Sequence, residues 1–254
     1  MDPEQIRIQS DLRGLLSGDV FCDALHTQIY ASDASIYEIR PLGVVRPRTT
    51  RDVSDLLGYC QQQNLPVFAR GGGSGLAGQS IGRGIVIDFS RYMRRIAPPQ
   101  QGTVRVQSGV VQADLNRALG AHNYLFGPDP ATRSVSSIGS MLSVDAAGSH
   151  FPSYGSSGDC VESLDVVLAS GEVVELSQHA GADDESPTSR EGELAQNVGL
   201  LLQQSSALLL RPPWGKVARG CGYRFEKVLD GDRVNLARLL CGAEGTLGII
   251  TAAT

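Results

Sequence analysis

Apolar positions along this chain switch between a helical and a strand-like period. In residues 1–20, Ile6, Ile8, Leu12, Leu15 and Leu16 recur at near-helical spacing and predict an amphipathic helix. Residues 41–47 hold Val44 and Val45 between Pro41 and Pro47, which predicts a short strand. The helical period returns over 50–60, where Val53, Leu56, Leu57 and Cys60 share a face and Thr50 can cap the start. Residues 65–69 are strand-like again, so the chain opens with a strand-helix-strand unit. Residues 85–89 form a further β-branched strand. Pro98-Pro99 then marks a boundary between an N-terminal part, 1–97, and a second part, 98–254.

In the second part, 103–107 alternates as a half-buried strand. Residues 111–122 align Leu115, Ala118, Leu119 and His122 on one helical face, with His122 a helix-end residue beside the C-terminal dipole rather than a catalytic base. Residues 162–168 and 172–176 predict a hairpin around Ala169-Ser170-Gly171, with Val166, Leu168, Val174 and Leu176 apolar. Residues 178–193 are a solvated loop or disordered insertion. Residues 193–210 form a helix with Leu194, Val198, Leu201, Ser205 and Leu208 on one stripe, closed by Pro212-Pro213. The pattern is that of a loop-rich mixture of helices and strands.

Composition narrows the function classes. The 254 residues are 41% hydrophobic and 19% charged, an ordinary globular profile. A net charge of -5 gives no broad basic field for nucleic acid. No run of about 18 apolar residues suggests a membrane span, and residues 1–16 lack the apolar core of a signal peptide. Cys22, Cys60, Cys160, Cys221 and Cys241 are scattered, with no CxxC pair and no His at ligand spacing, which argues against a metal or iron–sulfur site within the chain. They read as reduced thiols of a cytoplasmic protein.

Candidate chemistry concentrates in residues 70–80, Arg70-Gly71-Gly72-Gly73-Ser74-Gly75-Leu76-Ala77-Gly78-Gln79-Ser80, directly behind the strand at 65–69. Glycines here let the backbone take φ > 0 and present bare N–H groups, the makings of an anion nest whose natural ligand is a phosphate. The literal GxGxxG, residues 73–78, does not make a dinucleotide fold of the Rossmann type: a strand follows instead of a helix, and the acidic residue expected about 20 positions on is missing. No Lys-Ser/Thr pair closes the run, which excludes a Walker loop. A ligand-free glycine hairpin is the other reading of the loop taken alone.

Two further stretches share its character. Residues 126–148 are rich in small and hydroxylated side chains, poor as helix or strand and without bulk for a core, but able to line a flat polar ligand. Residues 241–251, Cys241-Gly242-Ala243-Glu244-Gly245-Thr246-Leu247-Gly248-Ile249-Ile250-Thr251, place a glycine-rich turn before a strand.

Together these stretches resemble the FAD-binding domain of the p-cresol methylhydroxylase and vanillyl-alcohol oxidase superfamily, in particular its D-lactate, glycolate and D-2-hydroxyglutarate dehydrogenase branch. The resemblance covers residues 30–254 and includes the Pro-x-Thr-x-x-Asp-Val start of the helix near 50 and a Tyr-Gly-x-x-x-Asp turn at 154–159. It implies an α+β fold of the PCMH type: two α/β subdomains with the cofactor between them. It implies FAD-binding roles for Arg70, Gly71, Gly72, Gly73, Ser74, Gly75, Leu76, Gly78 and Gln79 in the loop, for Pro128, Asp129, Ser136, Ser137, Gly139, Ser140, Asp145 and Gly148 in the second stretch, and for Glu244, Gly248 and Ile249 in the third. Ser140 stands where the resembling segment has Gly, and Asp145 where it has Asn. A carboxylate facing the flavin disfavours the anionic reduced form and lowers its potential unless it is protonated or paired. His150 and Tyr154 lie between these segments, His150 reading as a polar loop residue.

The resemblance further implies oxidation of a D-2-hydroxy acid, with hydride passing from Cα to flavin N5 and electrons then to an acceptor other than oxygen. It implies non-covalent FAD, since Ser74 occupies the place where covalent members carry His. The catalytic His, the substrate-carboxylate Arg and any metal site belong to a cap domain not represented here, so no catalytic residue is assigned. The wording at 31–37 and 126–130 looks most like large dehydrogenases fused to an iron–sulfur module, which makes the chain a fragment or a separate flavin subunit. A flavin-carrying module without turnover, or an NADPH-dependent reductase sharing the cofactor fold, is the alternative.

Overall fold

The computed structural model describes residues 2–179, 189–205, 222–230 and 233–254. Asp2 starts α1 (Pro3–Leu15): its carboxylate accepts from the Gln5 N–H, the Gln5 side chain accepts from the Asp2 N–H, and Pro3 takes the first-turn position that needs no donor. The helix is shorter than the hydrophobic pattern predicts. Ile8 and Leu12 are buried, Ile6 and Leu15 face solvent, and the chain turns at Leu16 into β1 (Asp19–Phe21). Gly18 permits that turn, because a Cβ there would overlap the Arg46 carbonyl.

α2 (Ala24–Ile29) is capped by Asp23, and β2 (Gly43–Arg46) follows. α3 (Thr50–Gln63) is capped by Thr49, one residue before the expected Thr50. Thr49 Oγ1 accepts from the Asp52 N–H at 3.1 Å, and the buried Asp52 carboxylate accepts from the N–H groups of Ser17, Arg48 and Thr49. This is the Pro47-x-Thr49-x-x-Asp52-Val53 start of the resembling family. β3 (Val67–Arg70) and β4 (Ile85–Asp88) complete a four-stranded sheet of order β1-β2-β4-β3. β4 inserts between β2 and β3, parallel to both, so the two strands of the opening unit are not neighbours. Val53, Leu56, Leu57 and Cys60 of α3 pack with Ile8 and Leu12 of α1 on Val45, Ile85 and Ile87. At about 1.5–3 kcal/mol per buried apolar side chain, this contact holds the first sheet to its helices.

A hairpin pairs Ala97 N–H with the Arg105 carbonyl and Gln107 N–H with the Arg95 carbonyl, so Pro98-Pro99 lies inside it. Its regular strand, β5 (Val106–Gln107), is shorter than the predicted 103–107. α4 (Gln112–Gly120) leaves His122 exposed beyond its end. α5 (Ile138–Ser143) corrects the expectation that 126–148 is irregular and coreless: Ser137 caps it, and Ile138, Met141 and Leu142 enter the second core. α6 (Phe151–Tyr154) and a 3-10 turn at 157–160 lead to β6 (Leu164–Val167) and β7 (Val173–Leu176), the expected hairpin.

β8 (Gln178–His179) and the start of α7 (Arg190–Gln204) occupy the ends of the expected loop at 178–193, whose residues 180–188 lie outside the described ones. The buried face of α7 is Ala195, Gly199 and Leu202, with Leu194 and Val198 packed alongside, while Leu201 is exposed. Leu208, Pro212 and Pro213 lie outside the described residues. β9 (Leu229–Asp230), β10 (Arg233–Asn235), α8 (Leu236–Leu240) and β11 (Ile249–Ala253) follow. The second sheet runs β5-β11-β6-β7, all antiparallel, and a small third sheet runs β8-β10-β9. Val167 and Ile249 of the second sheet also enter the first core, and Gly109 lies where a Cβ would overlap the Phe89 carbonyl. The two sheets thus meet through Val167 of β6, Ile249 of β11 and the approach of Gly109 to Phe89.

Candidate functional site

At that meeting lies a cavity of about 400 Å³. The first sheet contributes the loop that leaves β3: Arg70, Gly71, Gly73, Ser74, Gly75 and Gln79 line it. The second half contributes Ser137, Gly139 and Ser140 from the start of α5, and Glu244, Gly248 and Ile249 around the start of β11. Three stretches far apart in sequence therefore converge on one wall system, each with backbone close to the space. The loop has no room for side chains on that side: a Cβ on Gly71 would overlap Ser137 Oγ, and one on Gly73, which sits at φ +64°, would lie 2.6 Å from Arg70 Nη2.

The other predicted residues do not line the cavity. Gly72 packs against the Val135 carbonyl, Leu76 is exposed, and Gly78 at φ +78° packs on the Tyr37 ring. Pro128 gives its carbonyl to Gln112 Nε2 at 3.0 Å. Ser136 is buried, bonded to Thr132 Oγ1 at 2.7 Å, with Ser74 Oγ at 3.5 Å. Asp129 accepts from Ser149 Oγ and the His150 N–H, its carboxylate lies 2.9 Å from His150 Nδ1, and Gly148 packs against it. His150 is thereby tied to Asp129 and largely solvated. Asp145 ends α5 at φ +48°, a left-handed turn that Asp tolerates. Its carboxylate accepts from the Gly158 N–H at 2.8 Å and pairs with Arg224, so it is paired and outside the cavity lining.

Behind α5, Asp159 gathers Lys227, Arg238 at 2.7 Å and the Ser156 N–H at 3.0 Å. Burial acts to raise this carboxyl, but the Lys227 and Ser156 hydrogen bonds and the charges of Lys227 and Arg224 outweigh it and hold Asp159 well below the usual carboxylate range. This cluster ties Arg224, Lys227 and Arg238 to the segment that follows α5.

Phe68, Phe89, Ser108, Val144, Thr246 and Ile250 also line the cavity and were not singled out from the sequence. The signal for Ser108 is present, since Ser108-Gly109 ends the alternating run at 103–107 with the same small residues that mark the other walls. Ser108 Oγ donates to the Ile250 carbonyl and its own carbonyl accepts from the Gly139 N–H at 2.9 Å, joining α5 to β11.

The cavity combines apolar side chains with a cationic, N–H-rich end. Arg70 Nη1 is buried and has no hydrogen-bond partner. A buried unpaired donor on a cation costs several kcal/mol unless an anion meets it. With the glycine cradle beside it, this donor set fits a ligand carrying phosphate groups and a flat, largely apolar ring system. Among the described residues the lining includes no His, Lys or Cys, and Glu244 is its one carboxylate. Among the described residues no group of His, Cys, Asp and Glu could hold a metal ion, and no helix is long and apolar enough to cross a membrane.

Comparison with known proteins agrees with this donor set. Residues 41–177, more than half of the chain, match the family model described as "FAD binding domain". A D-2-hydroxyglutarate dehydrogenase of Pantoea ananatis is 36% identical over 234 residues, which cover 88% of this chain and 23% of the relative. The glycolate oxidase subunit GlcD of Bacillus subtilis is 28% identical over 89% of this chain and 39% of its own length. The chain thus spans about a quarter of the length of the D-2-hydroxyglutarate dehydrogenases it matches. Among solved structures, alkyldihydroxyacetonephosphate synthase superposes with a TM-score of 0.66 at 20% identity, covering 100% of this chain and 40% of that one. 6-Hydroxy-D-nicotine oxidase from Arthrobacter nicotinovorans gives 0.64 at 20% identity over 94% of this chain and 41% of that one. These likenesses show the α+β fold of the PCMH type.

Proposed function

Since this chain belongs to the FAD-binding domain family, we propose that the cavity is where FAD is held, without a covalent link, in a larger D-2-hydroxy-acid dehydrogenase. The observation that carries the reading is the unpartnered Arg70 Nη1 beside the glycine cradle, at the point where the loop, α5 and β11 converge. The relatives named D-2-hydroxyglutarate dehydrogenase, glycolate oxidase and D-lactate dehydrogenase support the substrate class.

FAD, when bound, supplies the acceptor for the hydride of a 2-hydroxy acid. The chain's own residues do the rest of the holding. Arg70 and the loop N–H groups bind the diphosphate, with Ser74, Ser137 and Ser140 offering hydroxyls beside them. Phe68, Phe89, Val144 and Ile249 exclude water from the apolar part, which strengthens every polar contact inside. Among the described residues the lining holds no His or Lys to take the hydroxyl proton, and this reading assigns the base and the group that pairs with the substrate carboxylate to the remainder of the whole protein. The wording of 31–37 and 126–130 supports an iron–sulfur module as the electron partner of that whole.

The visible absorption spectrum of the purified chain after incubation with FAD and gel filtration tests this reading. A retained flavin band released on denaturation is expected. A colourless protein overturns it, and flavin that stays attached after denaturation overturns the non-covalent part.

A further inference from the structure

On the face of the first sheet away from α3, three charged residues lie side by side across the strands: Arg46 on β2, Asp88 on β4 and Arg70 on β3. Arg70 and Asp88 are register partners in the parallel β3-β4 pair, so their side chains emerge next to each other on adjacent strands, about 5 Å apart at the backbone. Asp88 is buried and is therefore the natural counter-ion of Arg70. The pair nevertheless does not form. Asp88 Oδ2 accepts from Tyr30 Oη at 2.5 Å and from Arg46 Nε at 3.3 Å, and Oδ1 accepts from the Ser90 N–H at 2.8 Å. Arg46 Nη2 in turn donates to Tyr30 Oη at 2.8 Å. With both roles of its hydroxyl committed, the Tyr30 ring is fixed in place, and the Arg70 guanidinium lies over it, 5.3 Å from the ring centroid. The result is an arginine whose position is set by a ring while its Nη1 stays without a partner.

We propose that Tyr30 is a positioning residue for the ligand site: by occupying Asp88 it keeps that carboxylate from capturing Arg70 and so reserves the guanidinium for an anionic ligand. The inference rests on the FAD reading above. Tyr30 is not itself part of the cavity lining; it acts through Asp88 and through Arg70, which is. Removing only the hydroxyl takes away the shortest bond to Asp88 Oδ2 while preserving the ring; Arg46 Nε at 3.3 Å is then that oxygen's remaining partner, and the carboxylate gains room to accept from its register neighbour Arg70.

The test is a set of FAD titrations on the wild-type chain, Tyr30→Phe, and Tyr30→Phe combined with Asp88→Asn, with thermal unfolding of each free protein alongside. Tyr30→Phe is expected to weaken FAD binding by about tenfold, the scale of one charge-assisted contact. Adding Asp88→Asn, which removes the competing charge but keeps the shape, is expected to restore affinity even though it lowers the unfolding temperature further. A Tyr30 whose role is only to hold the fold gives the opposite pattern, with affinity and stability falling together in the double variant, and that overturns the proposal. So does a Tyr30→Phe variant that binds FAD as tightly as wild type. If the wild-type chain itself takes up no FAD, the FAD reading falls, and this inference with it.

Discussion

Gly73 and Gly14 show how differently two glycines of this chain are used. At Gly73 a side chain meets both a left-handed φ, worth about 1–2 kcal/mol of strain, and the Arg70 guanidinium. Gly73→Ala is expected to lower the unfolding free energy in urea by about 1–2 kcal/mol and FAD affinity by at least about tenfold. Gly14 sits exposed within α1, where an added Cβ meets nothing. Gly14→Ala should raise stability by about 0.5–1 kcal/mol through helix propensity alone and leave FAD affinity as it is. Asp145 is a third kind of case. It differs from the Asn of the resembling segment, yet it is paired with Arg224 and does not line the cavity. A spectroelectrochemical titration should therefore find the flavin potential of Asp145→Asn equal to that of wild type, whereas an unpaired carboxylate facing the ring would make the variant's potential higher. The glycine loop is legible in the sequence because a glycine states a backbone requirement directly. Whether Asp145 faces the ligand is not, because its partner stands 79 positions away.

Among the elements, α5 and its supports carry the most consequence. α5 hides in the sequence for a physical reason: six residues with Gly and Ser among them have weak helix propensity, and its three apolar side chains show a period only once the second sheet is there to receive them. β1 hides because three residues are too few for an alternation. In α7 the helix is legible but its face is not, since Leu200, Leu201 and Leu202 offer adjacent choices and packing selects Leu202. The Asp159 cluster behind α5 yields a pH prediction. Its folded pKa is held below the unfolded value of about 3.9, so the unfolded state binds the proton more readily and stability falls as pH falls. The contribution is fully present above about pH 5 and is lost progressively from about pH 4 downward. Urea unfolding across pH 2.5–6 should show Asp159→Asn less stable than wild type by about 2 kcal/mol at the upper end, with the two converging toward the lower end. A constant gap across the range would mean that shape rather than charge holds the cluster.

For the whole molecule, the informative fact is that the cavity is shared between two sheets whose cores are joined through Val167 and Ile249. Neither the order β1-β2-β4-β3 nor the meeting of β3, α5 and β11 can be read from periodicity, because both depend on pairings between distant segments. What could be read was that three glycine-rich stretches shared one character, and resemblance supplied their common ligand. A ligand that touches both halves stabilises them jointly, and only the folded state can bind it. At a free FAD concentration a hundredfold above Kd, linkage gives about 2.7 kcal/mol, which for a domain of this size raises the unfolding temperature by roughly 5–10 °C. The midpoint should climb with the logarithm of FAD concentration, and both halves should melt together, followed by the near-ultraviolet signals of Tyr59 in the first half and of Tyr223 in the second, each isolated by its Phe variant. Gly73→Ala should flatten the climb in proportion to its loss of affinity. If instead FAD shifts only the transition reported by one half, then the cavity is a site of that half alone, and the convergence of loop, α5 and β11 is a matter of packing rather than of binding.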